Sequence, residues 1–248
     1  MPDFEDAFNP LGWRRAEGPD GVEAAGVWAK VLRQPQDGDS FALLRFEPGA
    51  AYAIDTDLRP KQLLVVEGSL EDTDLGRGKT AAKETAHKGA FIQYLPEAQH
   101  TVMSPGGCLA LLISSPSVIG RPRNAEEAVR PMPMIRDSFG PEGWETTPNV
   151  APGSEGNIRG VWSKTLKSEG KNRTVTLVYF EPGAIYPLHP HDHPQQILML
   201  EGDAVDEIID AEDHRRVATY RKGGFVDYPP IMSHSTHSPG GCLMVLGI

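Results

Sequence analysis

The side chains best suited to chemistry in this chain are histidines. Six of the eight lie in its second half, and three form His189-Pro190-His191-Asp192-His193. In an extended strand alternate side chains share a face, so His189 and His191 can point into one cavity. His193 joins them only if the strand continues, and Pro194 favours a turn there. Further on, Tyr228-Pro229-Pro230-Ile231-Met232-Ser233-His234 supplies another histidine after a proline-rich turn. Three neutral imidazoles make a firm shell for zinc, iron, copper or nickel. His237 is spaced to face the opposite side of its strand from His234 and is left out. The chemistry to expect is that of one divalent metal, with His193 left open as a further ligand.

What must position these residues is a repeat. Phe46-Glu47-Pro48-Gly49-Ala50 matches Phe180-Glu181-Pro182-Gly183-Ala184, 134 residues later. The same offset carries Gly26-Val27-Trp28 onto Gly160-Val161-Trp162. It also carries Ser104-Pro105-Gly106-Gly107-Cys108-Leu109 onto Ser238-Pro239-Gly240-Gly241-Cys242-Leu243. Upstream, the Asp6 to Trp13 stretch matches the Asp137 to Trp144 stretch at an offset of 131. The expected organisation is an N-terminal copy over 1–114, a linker over 115–131 rich in Pro, Arg, Glu and Ala, and a C-terminal copy over 132–248. Each copy reads as β: short runs rich in β-branched and aromatic residues end in Glu-Pro-Gly, Glu-Gly or Pro-Pro turns. A short helix is conceivable only near Asn124 to Val129. Many short strands with such punctuation suggest a sandwich or a jelly-roll barrel.

Composition narrows the partners. The formal net charge of −10 argues against nucleic acid. No apolar run is long enough for a membrane helix, and the acidic start MPDFEDAFNP does not resemble a signal peptide. Cys108 and Cys242 occupy equivalent places in the two copies and read as small buried core residues of a reducing, cytoplasmic compartment. Trp28 and Trp162 read as core or interface residues. The partner expected is a small-molecule substrate, with no nucleic acid and no membrane; a homodimer is left open.

At the histidines the chain resembles the cupin superfamily. Gly183 precedes His189 by five residues, Gln195 follows His191 by three, and Gly202 follows Gln195 by six. That is the spacing of the first cupin motif, with Gln195 where the family has glutamate. Gly223, Pro229 and His234 match the second motif, with Ile231 where glycine is usual. The chain is also similar to the branch holding the zinc-binding cupin domain of anti-sigma factors and the acetylacetone-cleaving dioxygenases. The resemblance implies an all-β bicupin of two double-stranded β-helix, or jelly-roll, barrels. It implies a site of His189, His191 and His234, with Gln195 a weak ligand or a group behind the ligands, and Fe(II) or Zn(II) as the metal. Gln195 and Tyr186 are carried as the candidate catalytic residues. Phe225, Met199 and Tyr228, near the motifs, read as core packing.

The offset maps His189, His191, Gln195 and His234 onto Asp55, Asp57, Lys61 and His100. The N-terminal copy is therefore expected to have lost the soft shell, with Lys61 able to turn its ammonium toward Asp55 and Asp57. The leading functional expectation is a three-histidine dioxygenase-like enzyme cleaving a small oxygenated substrate such as a β-diketone. The alternatives are a zinc-binding sensor, a non-oxidative Lewis-acid enzyme at zinc, nickel or manganese, and a storage role. No helical partner-binding segment precedes Trp13, which weighs against the sensor.

Overall fold

The computed structural model describes residues 3–34, 40–55, 60–74, 83–94, 99–114, 134–147, 156–168, 174–191 and 193–247. The linker 115–131, with the helix considered at Asn124 to Val129, lies outside the described residues, as do Asp57 and the side chain of Asp55. Among the described residues every regular element is a strand.

The chain divides into two compact units, Pro10–Gly140 and Met1–Asn9 with Pro141–Ile248. Strand β1 (Asp3–Asp6) belongs to the second of these. The first unit holds β2 (Arg14–Glu17), β3 (Glu23–Arg33), β4 (Ser40–Phe46), β5 (Ala51–Asp55) and β6 (Lys61–Asp74). It continues with β7 (Lys83–His87), β8 (Phe91–Tyr94), β9 (Gln99–Met103), β10 (Cys108–Ser114) and β11 (Met134–Ile135). The second adds β12 (Glu145–Thr146), β13 (Arg159–Ser168), β14 (Thr174–Pro190) and β15 (Gln195–Ile209). It ends with β16 (Arg215–Arg221), β17 (Gly224–Tyr228), β18 (Ser233–Ser238) and β19 (Cys242–Gly247). All pairings are antiparallel, as a jelly roll requires.

Corresponding strands do the same work in each unit. The opening of β6 (Gln62–Val66) and of β15 (Gln195–Leu200) is buried at every residue, so apolar side chains fill both faces of these central strands. The two interiors are Val27, Phe46, Leu63, Val65, Ile92 and Tyr94 in one, and Val161, Phe180, Ile197, Met199, Val226 and Tyr228 in the other. Cys108 and Cys242 are free and buried, and burial pushes their thiols up to about 12 and about 11. Trp28 and Trp162 are not core residues. Each is half-buried and donates its indole N–H, at 2.9 Å, to Glu47 or Glu181 respectively.

Two long strands bend rather than end. A turn is expected at Glu181-Pro182-Gly183, yet β14 runs from Thr174 to Pro190. Gly183, at φ +79°, lets it change partners there: Phe180 pairs with Cys242 of β19, and Ala184 with Ser238 of β18. β15 bends at Gly202, φ +77°, where a Cβ would lie 2.1 Å from the Gly241 carbonyl oxygen. Before the bend β15 pairs with β17 and β19, and beyond it with β16 and β18. This bend is what carries the far half of β15 behind the histidine cluster.

The upstream repeat, Asp6-Ala7-Phe8 against Asp137-Ser138-Phe139, is an arm that leaves its own copy. In the second unit β1 pairs with β17, and Ala7 N–H donates to Gly223 O at 2.7 Å. In the first unit β11 pairs with β8, and Ser138 N–H donates to Gly89 O at 2.7 Å. Each arm turns on its aspartate, which accepts from the amides two and three residues on. The arm of each sequence copy therefore lies with the barrel of the other copy, and sequence order and spatial grouping part company at Met1–Asn9.

Candidate metal centre

His189 and His234 are cross-strand partners on β14 and β18, so their side chains leave the same face of the sheet. His191 follows just beyond β14. Its backbone is clamped by two hydrogen bonds, His191 N–H to Met232 O at 2.9 Å and Ile231 N–H to His191 O at 2.8 Å. The three rings converge, with centroids 4.7 Å (His189–His191), 4.6 Å (His189–His234) and 4.9 Å (His191–His234) apart. One ring nitrogen from each lies within 4.8 Å of the others, and all three residues are buried.

The second ring nitrogen is occupied where hydrogen bonding to the protein fixes the tautomer. A bulge between Tyr186 and His189 turns the Pro187 carbonyl inward, and His189 Nδ1–H donates to it at 2.9 Å. His234 Nδ1–H donates to Asp206 Oδ2 at 2.7 Å. Both residues therefore present Nε2 as a lone pair. Burial, and after it the neighbouring His234, lowers His189 to about 4, against smaller raising contacts from Pro187 and Asp206. Burial and the three surrounding histidines lower His191 to about 3. Both rings are therefore neutral at neutral pH, the form in which imidazole can bind a metal.

The donor set fits a cation. His191 Nε2, His234 Nε2 and Gln195 Oε1 are among the described buried side-chain atoms, Asp206 Oδ1 and Gln62 Oε1 being others, that have no hydrogen-bond partner. Leaving such atoms dry and unbonded costs about 1–3 kcal/mol each, a cost that coordination would remove. Gln195 opens β15 opposite Tyr228 and is buried. His193 is half-buried, its ring 6.4 Å from that of His191, and stands outside the three-nitrogen group. Tyr186, half-buried, packs its ring 4.4 Å from His189. His237 is exposed on the other face of β18.

Three residues of this neighbourhood escape a reading by motif. Asp206 is fully buried on β15 and accepts from both His234 and the Tyr228 hydroxyl on Oδ2. Tyr220 and Tyr228 share a hydrogen bond of 2.6 Å. Tyr228 is thus more than packing: its ring also lies 4.5 Å from that of His234. The signal that could have found Asp206 and Tyr228 is the repeat itself, whereas Tyr220 has no counterpart in the other copy. At the 134-residue offset Asp72, Tyr94 and His100 are identical to Asp206, Tyr228 and His234.

The first unit keeps that triad. His100 Nδ1–H donates to Asp72 Oδ1 at 2.9 Å and Tyr94 donates to Asp72 Oδ2 at 3.0 Å. Lys61 opens β6, half-buried; its pairing with Asp55 and Asp57 lies outside the described residues. Among the described residues the histidine cluster of the second unit alone could hold a metal.

No family model and no curated protein matches the sequence. Solved structures do match its fold. A cupin 2 conserved barrel domain protein from Leptotrichia buccalis superposes over 100% of this chain and 95% of its own, with TM-score 0.63 and 14% identity. Oxalate decarboxylase from Bacillus subtilis superposes over 100% of this chain and 75% of its own, with TM-score 0.63 and 14% identity. That of Lactobacillus farciminis, a formate complex, covers 85% of its own chain at TM-score 0.63 and 13% identity. The likeness is one of fold, and this chain has the cupin fold, two β-barrels in tandem, with a buried three-histidine cluster in the second.

Proposed function

We propose that the second barrel is a divalent-metal centre of an enzyme acting on a small substrate that chelates through two oxygens, such as a β-diketone. The observation that carries this reading is the set of buried, unpartnered ligand atoms on His191, His234 and Gln195. His189, His191 and His234 would hold the metal, with Gln195 a weak ligand or a hydrogen-bonding group beside it. The metal, when bound, supplies Lewis acidity toward the chelating oxygens and, as iron(II), access to oxygen chemistry.

The protein's own contribution is positioning. Pro187 and Asp206 fix the ring orientations of His189 and His234. The Gln195 amide can donate to one substrate oxygen or accept from a water, and it stays neutral at any working pH. Imidazole and amide donors bring no negative charge to the site, which favours an anionic, enolate-like chelate as the partner. Tyr186 packs its ring 4.4 Å from that of His189 and would bound the space open to a substrate on that side.

A second reading follows from the structural neighbours. Oxalate decarboxylase from Bacillus subtilis has Mn(II) centers, and a dicarboxylate is also a two-oxygen chelate. Manganese with decarboxylation therefore stands beside iron with oxidative cleavage. The deciding experiment is anaerobic purification with metal analysis, followed by oxygen uptake on acetylacetone and carbon dioxide release from oxalate. Iron with oxygen uptake supports the first reading, and manganese with carbon dioxide release the second. Failure of the wild-type chain to bind one equivalent of any divalent metal sinks both.

A further inference from the structure

We propose that Asp206 is a positioning residue that supplies, from behind His234, the negative charge that Gln195 does not bring to the metal. The inference rests on the metal-centre reading and deepens it. With histidines at three positions and a neutral amide at the fourth, a divalent cation would meet no charge of opposite sign among its ligands. Asp206 is 0% exposed, and its Oδ2 is bonded to the ring nitrogen opposite the one His234 presents to the site. A carboxylate so placed holds the imidazole in the Nδ1–H tautomer and makes Nε2 a better donor.

The surroundings of Asp206 are hydrogen-bond donors, as suits a carboxylate: His234 and Tyr228 both aim at it in the barrel interior. Tyr228 donates to the same oxygen that receives His234, and Tyr220 extends the chain outward. The two units of the chain give an internal comparison. Around Asp72 the donors are divided, His100 on Oδ1 and Tyr94 on Oδ2, and Ala86 stands where Tyr220 would be. The unit that holds the histidine cluster is the one in which both donors converge on one oxygen and a second tyrosine is added. An Asp–His pair alone is common to both units; its coupling to a neutral fourth position is not.

The probe is Co2+, added to the full-length apo chain and followed by chelator competition and by its visible absorption. Asp206→Asn keeps the shape and removes the charge. We expect Co2+ to bind that variant about 10–100-fold more weakly, as for the loss of a residue that orients a ligand. Gln195→Glu in the same chain should return the affinity to near the wild-type value by placing the charge at the metal directly. Asp72→Asn, the same change in the first unit, should leave Co2+ affinity unchanged. Wild-type affinity in Asp206→Asn, or a double variant no tighter than the single, would overturn the proposal while leaving the metal centre intact. Absence of Co2+ binding in the wild type overturns the metal reading and this inference with it. Histidine-selective nitrogen NMR of the wild-type apo chain needs no variant: His234 protonated on Nδ1 supports the assignment, and protonation on Nε2 alone refutes it.

Discussion

Asp206 and His234 are diagonal neighbours across the ladder of β15 and β18, joined Oδ2 to Nδ1 at 2.7 Å. Asp206 is directly opposite Thr236, and His234 lies two residues along on the same face. Asp72 stands opposite Val102 and reaches His100 in the same diagonal way. The geometry therefore belongs to the barrel, and what distinguishes the second unit is what surrounds it.

Metal retention is expected to depend on each of the three histidines. His191→Ala leaves a two-imidazole remnant and should cost more than the ~10–100-fold typical of losing a residue behind a ligand. His237→Ala, on the outer face, should cost nothing. Metal content after gel filtration distinguishes the two; full retention in His191→Ala would contradict the site.

Apo protein is expected to lose stability on mild acidification. His189 and His191 are held at about 4 and about 3 in the fold, below the ordinary value near 6.5. The unfolded chain therefore takes up protons first as the pH falls. Stability is unaffected by these two groups above pH ~6.5 and declines from there down to about 4 for His189 and about 3 for His191. Thermal melts of the apo chain across that window should show the decline, and a His189→Gln/His191→Gln variant should show less of it.

Two glycines of positive φ should differ sharply in tolerance. Nothing lies within 4 Å of a Cβ on Gly183, so Gly183→Ala should cost only the left-handed backbone, about 1–2 kcal/mol. At Gly202 the new methyl would meet the Gly241 carbonyl at 2.1 Å and the Cys242 Cα at 2.8 Å. Gly202→Ala should therefore cost at least twice as much, or prevent folding. Equal losses in denaturant titrations would show that the close approach is not the constraint.

Ile231 should prove costly where it stands. It adopts φ 68° with a β-branched side chain that is 75% exposed, so it has the strain of a left-handed residue and little burial to offset it. Ile231→Gly should raise stability by about 1 kcal/mol, read as a higher denaturation midpoint. It should leave the Ile231 N–H to His191 O bond in place, because that bond uses backbone alone. A lower midpoint would show that the isoleucine side chain contributes packing that outweighs the strain.

The sequence is informative wherever function requires a residue type at a fixed interval. The repeat gave two barrels because Glu-Pro-Gly and Ser-Pro-Gly-Gly recur at one offset, and His189, His191 and His234 were legible because strand alternation and cross-strand pairing both put them on one face. Asp206 and Tyr228 were harder to see, lying in stretches where burial is the dominant signal and a polar residue reads as an exception. The bends at Gly183 and Gly202 look in the sequence like turns or strand ends, because a glycine of positive φ serves alike whether the chain reverses or only changes partners. The exchange of arms left no local trace at all: the Asp6 and Asp137 turns are the same whichever barrel they join.

That exchange has a genetic consequence. Residues Asp3–Asp6 complete the edge of the barrel that holds the histidines, although they are encoded ahead of the copy that lacks them. Deleting the histidine-poor copy as one block would strip the other of its edge strand and expose the unpaired groups of β17. Only an excision that begins after Asn9 and ends at Gly140 would leave that edge strand with its barrel.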